Sequence, residues 1–381
     1  MEINDKRLES LFDEIKQFND TPGIGYTRPV FSSTEEHSLS WFENILKENN
    51  LYSHTDEVGN VFGRYGEGEN PILIGSHLDT VQNGGLYDGA LGVLSGLEVL
   101  LTLKENNNKL NHPIMLVAFR GEEANILGGT FGSRVFSGIF DEKNDDLEKV
   151  GLSKEAILNS RNQQNFQSYI ELHIEQGQVL ENENLDIGIV TSIAGLRRYR
   201  IEVEGRSGHS GTTPMHIRED ALKLATAELQ RIYEFSETLD DQSVLTVGKL
   251  NMYPNQANVI PNKVEMLVEI RSDAEDKLNQ YEETLLNMIA SKNERVVEKQ
   301  TTKLDEQNIT KLSEVTKKLG YTSKKMASGA NHDANSVSTI MPASMIFIPS
   351  KNGISHHPDE YSSKEQIVKG SNVLLNYILE I

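Results

Sequence analysis

Two short motifs place histidine and carboxylate side chains where a predicted strand ends. In GSHLDT, His77 and Asp79 close an apolar run, and residues two apart in an extended segment face the same side. A metal-binding histidine commonly needs an oxygen on its other ring nitrogen, and Asp79 is placed to influence that geometry. In FRGEEANILGG, Glu122 and Glu123 directly follow the apolar run MLVAF. A structural turn and a solvated pair of glutamates are the alternative interpretations.

Three further segments each carry a candidate ligand. Asp88 precedes a predicted helix in GGLYDGALGV, His173 lies inside ELHIEQG, and His356 follows a predicted strand in GISHHPDE. Taken singly, an N-cap or turn, a buried core histidine and a surface histidine are sufficient explanations. Together with His77 and Glu123, however, they make five nitrogen or oxygen donors at or near the ends of separate elements, where an α/β sheet places its ligand site. Such donors suit Zn²⁺, Mn²⁺, Co²⁺ or Ni²⁺, and one shared carboxylate would give a two-metal hydrolytic site.

The elements that must position these residues follow from the apolar pattern. The segments PILIGSHL, MLVAF, SYIELHIEQG and SMIFIPS are short runs typical of buried strands, and GALGVLSGLEVLLTLKEN has its apolar residues on a helical period. This alternation predicts an α/β domain with a parallel or mixed sheet and helices on its faces.

The middle of the chain has a different pattern. RRYRIEVEG alternates as a strand does, REDALKLATAELQRIYEF is helical, and two strands, a helix and a last strand follow. The order β-α-β-β-α-β is the split ferredoxin-like arrangement. We therefore predict an inserted α+β domain at 196–307, within a larger metal-binding catalytic domain formed by 1–195 and 308–381.

The composition excludes several classes of function. The 37 Lys and Arg against 57 Asp and Glu give a net charge of −20, which disfavours binding to nucleic acid or to an anionic membrane. The absence of Cys excludes disulfides, Cys-ligated zinc and a thiol nucleophile. The N-terminal segment lacks the apolar core of a signal peptide, and no stretch approaches 18 apolar residues. We expect a soluble cytoplasmic protein with no nucleic-acid or membrane partner.

The motifs occur in an order that resembles a known family. They are SHLDT, GGLYDGALGV, GEE, ELHIEQG, GHSGTTPM, QANVIPNKV, IRS, SGANHDA and GISHHPDE. Together they resemble the amidase/hydantoinase/carbamoylase branch of the dinuclear-metal aminoacylase and carboxypeptidase superfamily, over essentially the whole chain. That branch includes N-carbamoyl-L-amino-acid hydrolases, allantoate amidohydrolases and β-ureidopropionases.

The resemblance implies two divalent ions per subunit, Zn²⁺ or Mn²⁺, Co²⁺ or Ni²⁺, that share one bridging carboxylate. Glu122 would be the general base, taking a proton from metal-bound water and returning it to the leaving nitrogen. Asp79 and His209 complete the implied catalytic set. The ligands implied for the first ion are His77, Asp88 and His173, and those for the second are Asp88, Glu123 and His356.

Recognition of a small anionic amide is implied by four residues. His209 in GHSGTTPM resembles the histidine that stabilises the oxyanion, usually across a dimer interface. Asn258 and Arg271 resemble the residues that bind the substrate carboxylate, and Gln176 is expected to make a further contact with the substrate. The inserted domain would then be a lid that also forms a homodimer. The sequence leaves open whether His209 acts in its own active site or in that of the partner.

The chain departs from the family pattern at two places. Ala124, Asn125, Ile126 and Leu127 stand where the branch usually has Gly-x-Arg-Phe, and Asn331 replaces a glycine in SGANHDA. Neither change removes a ligand or the base, but both are expected near the substrate.

The leading hypothesis is hydrolysis of a linear amide, an N-carbamoyl-L-amino acid, to an amino acid, CO₂ and ammonia. Allantoate amidohydrolase and N-acyl-amino-acid hydrolase or peptidase activities would use the same machinery. A metabolite-binding relative without catalysis is the alternative from another class. The presence of all five ligands and of Glu122 argues against that alternative.

Overall fold

The computed structural model describes residues 1–381, which divide into two compact units. The first unit comprises Met1–Thr191, Leu304–Met326 and Ala330–Ile381, and the second comprises Ser192–Lys303 and Ala327–Gly329. The sequence predicted the inserted domain at 196–307 and gave no indication of the short segment 327–329.

Eleven α-helices occur along the chain. None of them combines the length and the apolar composition of a membrane-spanning helix. They are α1 (Asp5–Ile15), α2 (Ser33–Glu48), α3 (Ala90–Glu105), α4 (Phe131–Phe136), α5 (Lys154–Asn159), α6 (Val179–Asn182), α7 (Ala221–Ser236), α8 (Glu275–Met288), α9 (Glu306–Lys318), α10 (Asp333–Val337) and α11 (Lys364–Glu380).

Thirteen strands form two sheets. They are β1 (Tyr52–Thr55), β2 (Val61–Tyr65), β3 (Ile72–His77), β4 (Ile114–Phe119), β5 (Ser168–Ile174), β6 (Ile187–Ile193), β7 (Gly195–Glu204), β8 (Ser243–Tyr253), β9 (Lys263–Ser272), β10 (Lys292–Lys299), β11 (Thr302–Lys303), β12 (Ser323–Ser328) and β13 (Ala343–Ile348).

The large sheet has nine strands in the order β1-β2-β4-β3-β5-β13-β6-β11, with β12 paired to β6. Its central strands β4, β3, β5 and β13 are parallel neighbours, whereas β1, β2 and β6 pair antiparallel. The predicted α/β class with a mixed sheet is therefore confirmed. Because four parallel strands lie side by side, their carboxyl ends meet at one edge of the sheet.

Helices cover both faces of these parallel strands. Leu172 of β5 lies against Gly370 of α11, and the neighbouring Glu171 accepts the backbone N–H of Ala334 in α10. Since successive residues of a strand face opposite sides, α11 and α10 lie on opposite faces of the sheet. Burial on both faces explains why β3, β4, β5 and β13 are continuous apolar runs with only a few polar residues.

The second unit contains a four-stranded antiparallel sheet in the order β10-β7-β9-β8. Its elements follow the predicted order β-α-β-β-α-β. In β7, Tyr199, Ile201 and Val203 are buried, whereas Arg200 and Glu202 between them are partly exposed. Helices α7 and α8 pack on the apolar face of this sheet and close the core of the unit.

Candidate metal centre

The parallel strands deliver the candidate ligands to one edge of the large sheet. His77 is the last residue of β3, His173 is the penultimate residue of β5, and the pair Glu122–Glu123 follows β4 after a short turn. Asp88 lies in the loop that leads into α3, and His356 lies in the loop that follows β13. Five separate segments therefore meet at this edge.

The Asp88 carboxylate is the centre of this group. Its Oδ1 atom lies 3.1 Å from His173 Nε2 and 3.5 Å from His77 Nε2. Its Oδ2 atom lies 3.2 Å from His356 Nε2, which is also 3.3 Å from Glu123 Oε1. The two oxygens of one carboxylate thus face two different sets of donors.

The hydrogen bonds of the histidine rings fix which nitrogen faces Asp88. His77 Nδ1 lies 3.0 Å from the backbone carbonyl oxygen of Asp79, and His173 Nδ1 lies 2.9 Å from that of Ile174. A carbonyl oxygen only accepts, so each Nδ1 carries a proton and each Nε2 offers its lone pair towards Asp88. Lone pairs that converge on a carboxylate require a cation or extra protons between them.

The donor set fits a divalent cation. Two groups of three ligand atoms lie within 4.8 Å of one another: His77, Asp88 and His173, and Asp88, Glu123 and His356. Mixed imidazole and carboxylate donors are those that Zn²⁺ and similar first-row ions bind. An overlapping group, Glu171, His173 and His332, meets the same distance criterion. In that group, Glu171 already accepts hydrogen bonds from Ser76 Oγ and from the backbone N–H of Ala334.

Gly89 lets the Asp88 loop approach His77. A Cβ atom at this position would lie 2.4 Å from the His77 ring, and the φ angle of Gly89 is +66°. Both the space and the backbone conformation favour glycine. The DG pair in the sequence therefore has a direct geometric role at this site.

Asp79 orients two parts of the centre at once. Its Oδ1 atom accepts the backbone N–H of Glu122 at 3.2 Å, and its Oδ2 atom accepts that of Glu123 at 3.0 Å. The same carboxylate lies 3.4 Å from His77 Nδ1. Asp79 therefore fixes the turn that carries the glutamates relative to the end of β3.

The electrostatics of the centre favour bound positive charge. Although burial acts to raise the pKa of Asp88, hydrogen bonds from His173, His356 and His77 hold it well below its usual range. Hydrogen bonds to Asp88 and Glu123 raise the pKa of His356 to about 11. Burial raises the pKa of Glu122 well above its usual range despite the attraction of His77. The lowered pKa of Asp88 and the raised pKa of His356 both favour positive charge beside these carboxylates, which a bound cation would supply.

Glu122 and Gln176 also lie at this centre. The Glu122 carboxylate is 3.8 Å from His77 Nε2 and belongs to neither group of three donors. Gln176 Nε2 donates to Asp88 Oδ2 at 2.7 Å and to Ser355 Oγ at 3.0 Å. The structure thus brings together, in the first unit, every site residue that the sequence predicted there.

The remaining predicted residues belong to the second unit. His209 is exposed, pairs with Val259 in an isolated β-bridge and accepts the backbone N–H of Gly211 at its Nδ1. Asn258 is also exposed, and it lies beside His209 because its carbonyl oxygen accepts the N–H of Ser210. These two candidates therefore lie together, His209 in the loop after β7 and Asn258 in the loop before β9.

Arg271 lies at the other end of β9. Its Nε atom is 2.6 Å from Glu269 Oε1, and an Nη atom donates to the carbonyl oxygen of Gly329. Eight residues of strand separate Arg271 from the start of β9, a distance of about 26 Å. Within one unit, Arg271 and Asn258 are thus too far apart to contact the same small molecule.

The two departures from the family pattern have local roles. Asn125 donates to the carbonyl oxygen of Glu123 at 2.8 Å and accepts the N–H of Leu127 at 2.8 Å, so it stabilises the turn behind the glutamates. Asn331 accepts a hydrogen bond from Asn335 in α10.

Sequence reasoning assigned no role to three residues that the structure places at the centre. The His332 ring packs edge-on against His173, with ring centroids 4.6 Å apart. Ser355 and Glu360 flank His356 in the GISHHPDE motif and contact Asp88 or its backbone. The motif itself was the available signal, but nothing in its residue types distinguishes a half-buried serine and a buried acid from solvated loop residues.

Comparison with known proteins places this geometry in a family. The profile of Peptidase family M20/M25/M40 matches residues 73–380. The chain is 36% identical to an N-carbamoyl-L-amino acid amidohydrolase of Geobacillus stearothermophilus, over 100% of this chain and 99% of the relative. It is 33% identical to an allantoate amidohydrolase of Bacillus subtilis (strain 168), over 96% of this chain and 95% of the relative.

The solved structures agree with the sequence comparison. An amidase of the hydantoinase/carbamoylase family from Burkholderia multivorans superimposes with a TM-score of 0.90 at 30% identity, covering 100% of this chain and 98% of that chain. The fold and the full-length match together show that the chain is an amidohydrolase enzyme. The chain belongs to Peptidase family M20/M25/M40, in its hydantoinase/carbamoylase amidase branch.

Proposed function

We propose that this enzyme hydrolyses the linear amide of an N-carbamoyl-L-amino acid, with two divalent metal ions held around Asp88. Water adds to the carbamoyl carbon and the bond from that carbon to the amino-acid nitrogen breaks. The products are the free amino acid and carbamic acid, which decomposes to CO₂ and ammonia. The similarity to the amidohydrolase of Geobacillus stearothermophilus supports this choice of substrate.

One observation carries the proposal. Asp88 Oδ1 lies 3.1 Å from His173 Nε2 and 3.5 Å from His77 Nε2. Asp88 Oδ2 lies 3.2 Å from His356 Nε2, which in turn lies 3.3 Å from Glu123 Oε1. A carboxylate between two groups of ligands is the arrangement that a shared, bridging ligand requires. Zn²⁺, Mn²⁺, Co²⁺ and Ni²⁺ are the candidate ions, because every donor is nitrogen or oxygen.

Glu122 is positioned to move the protons of the reaction. Divalent ions at this centre would lower the pKa of a water molecule and polarise the scissile carbonyl. The Glu122 carboxylate lies outside both donor groups and is therefore available to accept a proton from the attacking water. It would then give that proton to the leaving nitrogen, as general acid–base catalysis requires.

The substrate carboxylate needs a local cation in a protein of net charge −20. Arg271 can provide a bidentate partner, and Glu269 would fix the orientation of its guanidinium group. His209 and Asn258 lie at the opposite end of β9, about 26 Å away by strand length. This separation supports the proposal that a substrate contacts Arg271 of one subunit and His209 of the other.

A homodimer would bring these residues together. The strand β8 forms an edge of the second unit, and Val244, Leu250 and Tyr253 on it are 43–56% exposed. Leu224 and Tyr233 of α7 are each 50% exposed. Long edge strands with exposed apolar residues are usually covered, and pairing of two copies through β8 and α7 would cover them.

A screen of ammonia release tests the substrate. The metal-reconstituted enzyme should cleave N-carbamoyl-L-amino acids with a higher kcat/KM than formyl, acetyl or other ureido acids, and should discriminate against the D enantiomers. Because acetyl and formyl substrates release no ammonia, their cleavage is followed by the amine that is freed. Equal rates for all acyl groups would contradict the assignment to carbamoyl substrates.

Allantoate is the second candidate substrate, because the chain is also similar to the allantoate amidohydrolase of Bacillus subtilis (strain 168). The same screen separates the two candidates, since allantoate is a ureido acid with no amino-acid side chain. A kcat/KM for allantoate above that of every N-carbamoyl amino acid would assign the second activity.

A further inference from the structure

Glu360 links two loops of the candidate centre. It is the last residue of GISHHPDE and only 6% exposed. Its Oε1 atom accepts the backbone N–H groups of Tyr87 at 2.9 Å and of Asp88 at 3.0 Å, and its Oε2 atom accepts the hydroxyl of Ser355 at 3.0 Å. The loop before α3 is therefore hydrogen-bonded to the loop after β13.

Ser355 extends this link to the Asp88 side chain. Its Oγ atom lies 3.1 Å from Asp88 Oδ2, the oxygen that faces His356. The hydroxyl has a single proton, so Ser355 donates to either Glu360 Oε2 or Asp88 Oδ2 at one time. Glu360 thus holds the backbone of Asp88 directly and keeps Ser355 within hydrogen-bond distance of the side-chain oxygen nearest to His356. A shift of this carboxylate would change the distance between Asp88 and His356.

The Asp88 loop leaves space for the Glu360 side chain. A Cβ atom at Gly85 would lie 2.1 Å from Glu360 Cδ and from Oε1, and the three nearest atoms all belong to Glu360. A side chain larger than glycine at position 85 would therefore displace the Glu360 carboxylate. Burial of this carboxylate costs free energy, which its hydrogen bonds must offset.

The same arrangement occurs on the other side of the centre. Asp79 accepts the consecutive N–H groups of Glu122 and Glu123, as Glu360 accepts those of Tyr87 and Asp88. In both cases a buried carboxylate accepts hydrogen bonds from the backbone of a loop that carries a proposed ligand. Residues that hold the ligands in this way, without binding the metal themselves, commonly change metal affinity.

We propose that Glu360 is a positioning residue for the second metal position. It fixes the Asp88 loop against the His356 loop, so that Asp88 Oδ2, His356 Nε2 and Glu123 can share one ion. This inference rests on the proposed function, because it assumes that these three side chains bind a metal.

Titration of the metal-free protein with Zn²⁺, in competition with a chelator, tests the inference. Glu360→Ala should weaken binding of the second equivalent by about 10- to 100-fold and the first equivalent much less. Glu360→Gln keeps an oxygen that accepts both N–H groups and should stay within a few-fold of the wild type. A Glu360→Ala protein that binds both equivalents as the wild type does would overturn the inference.

Asp56→Ala is the matched control. The Asp56 carboxylate accepts the backbone N–H groups of Val58, Gly59 and Asn60, in a turn that carries no proposed ligand. This variant should lower Tm without changing Zn²⁺ affinity. If Glu360→Ala shows the same pattern, its role is structural only and the inference is wrong.

A second variant keeps the test decisive if Glu360→Ala does not fold. Gly85→Ala leaves every charge in place but puts a methyl group where the Glu360 carboxylate lies. It should weaken the second Zn²⁺ equivalent selectively, and unchanged binding of both equivalents would overturn the inference.

The readout also separates this inference from the proposed function. If the wild type binds two equivalents of Zn²⁺ but cleaves none of the amides, the proposed function fails and the Glu360 comparison still stands. If the wild type cleaves amides while Glu360→Ala binds both equivalents normally, only the inference fails.

Discussion

His356 Nε2 lies 3.2 Å from Asp88 Oδ2, whereas His173 Nε2 approaches the other oxygen of the same carboxylate at 3.1 Å. The two histidines come from segments more than 180 residues apart in the chain, β5 and the loop after β13. A single carboxylate between them makes the two proposed metal positions interdependent, because neither set of donors is complete without Asp88.

The first prediction concerns this shared ligand. Asp88→Ala should lose both equivalents of metal, because both donor groups contain Asp88. Glu123→Ala removes a donor from one group only and should lose mainly one equivalent. Metal content after dialysis against metal-free buffer measures both variants. Retention of two equivalents by Asp88→Ala would show that this residue is not a bridging ligand.

The second prediction concerns the proposed base. Glu122→Gln should retain metal but lose kcat by about 10²- to 10⁴-fold, because the amide cannot accept the proton of the attacking water. The exposed Glu67→Gln is a control that should leave the rate unchanged. A Glu122→Gln enzyme with a near-normal rate would place the base elsewhere.

The positions of the ligands could be predicted from the sequence because the strands are buried on both faces. Continuous apolar runs fixed β3, β4, β5 and β13, and the polar residues that follow such runs must lie at the edge of a parallel sheet. His77 and Glu123 are predictable in this way. Asp88, His173 and His356 were candidates because they lie at or near predicted elements, but the division of the ligands between two metal positions came from the family resemblance. The loops that carry Asp88 and His356 have no periodicity from which it could be derived.

The supporting contacts could be predicted only in part. The sequence placed Asp79 beside His77, but it did not indicate that Asp79 accepts the backbone N–H groups of Glu122 and Glu123 or that Glu360 accepts those of Tyr87 and Asp88. Such contacts depend on the tertiary arrangement of loops and leave no spacing pattern. Asn258 lies in the loop before β9 and Arg271 lies near the far end of that strand. That His209 lies beside Asn258 likewise became apparent only from the structure, which pairs His209 with Val259.

The third prediction concerns pH and stability. Burial raises the pKa of Glu35 to about 7, although Arg120 opposes this shift. The folded state thus binds the Glu35 proton more tightly than the unfolded state does. The contribution of this proton to the free energy of unfolding is therefore present at pH 4 and is lost as the pH rises through 7. The glutamine does not titrate, so only the wild type loses this stability. The free energy of unfolding of Glu35→Gln, relative to that of the wild type, should therefore rise by about 3 kcal/mol between pH 4 and pH 8.

Denaturant unfolding of the metal-free proteins at several pH values measures this difference. Glu36→Gln is the matched control, because it alters the exposed partner of the same Arg120. Parallel pH profiles for Glu35→Gln and the wild type would contradict the prediction.

The fourth prediction concerns assembly. Val244→Glu should convert the proposed homodimer to a monomer, because it places a charge on the exposed edge strand β8. Ile139→Glu changes an equally exposed apolar residue of the first unit and should leave the mass unchanged. Light scattering measures both variants. A wild type that is already a monomer at micromolar concentration would contradict the prediction.

The last prediction decides in which active site His209 acts. Glu122→Gln and His209→Ala subunits should each be inactive alone, the first for lack of a base and the second for lack of an oxyanion partner. If His209 serves the partner's site, a mixed dimer has one site with an intact Glu122 and an intact His209. Mixing the two proteins should then restore up to about a quarter of wild-type activity, since half of the dimers are mixed and each has one complete site. Mass spectrometry must first confirm subunit exchange. Confirmed exchange without returning activity would show that His209 acts within its own chain or not at all.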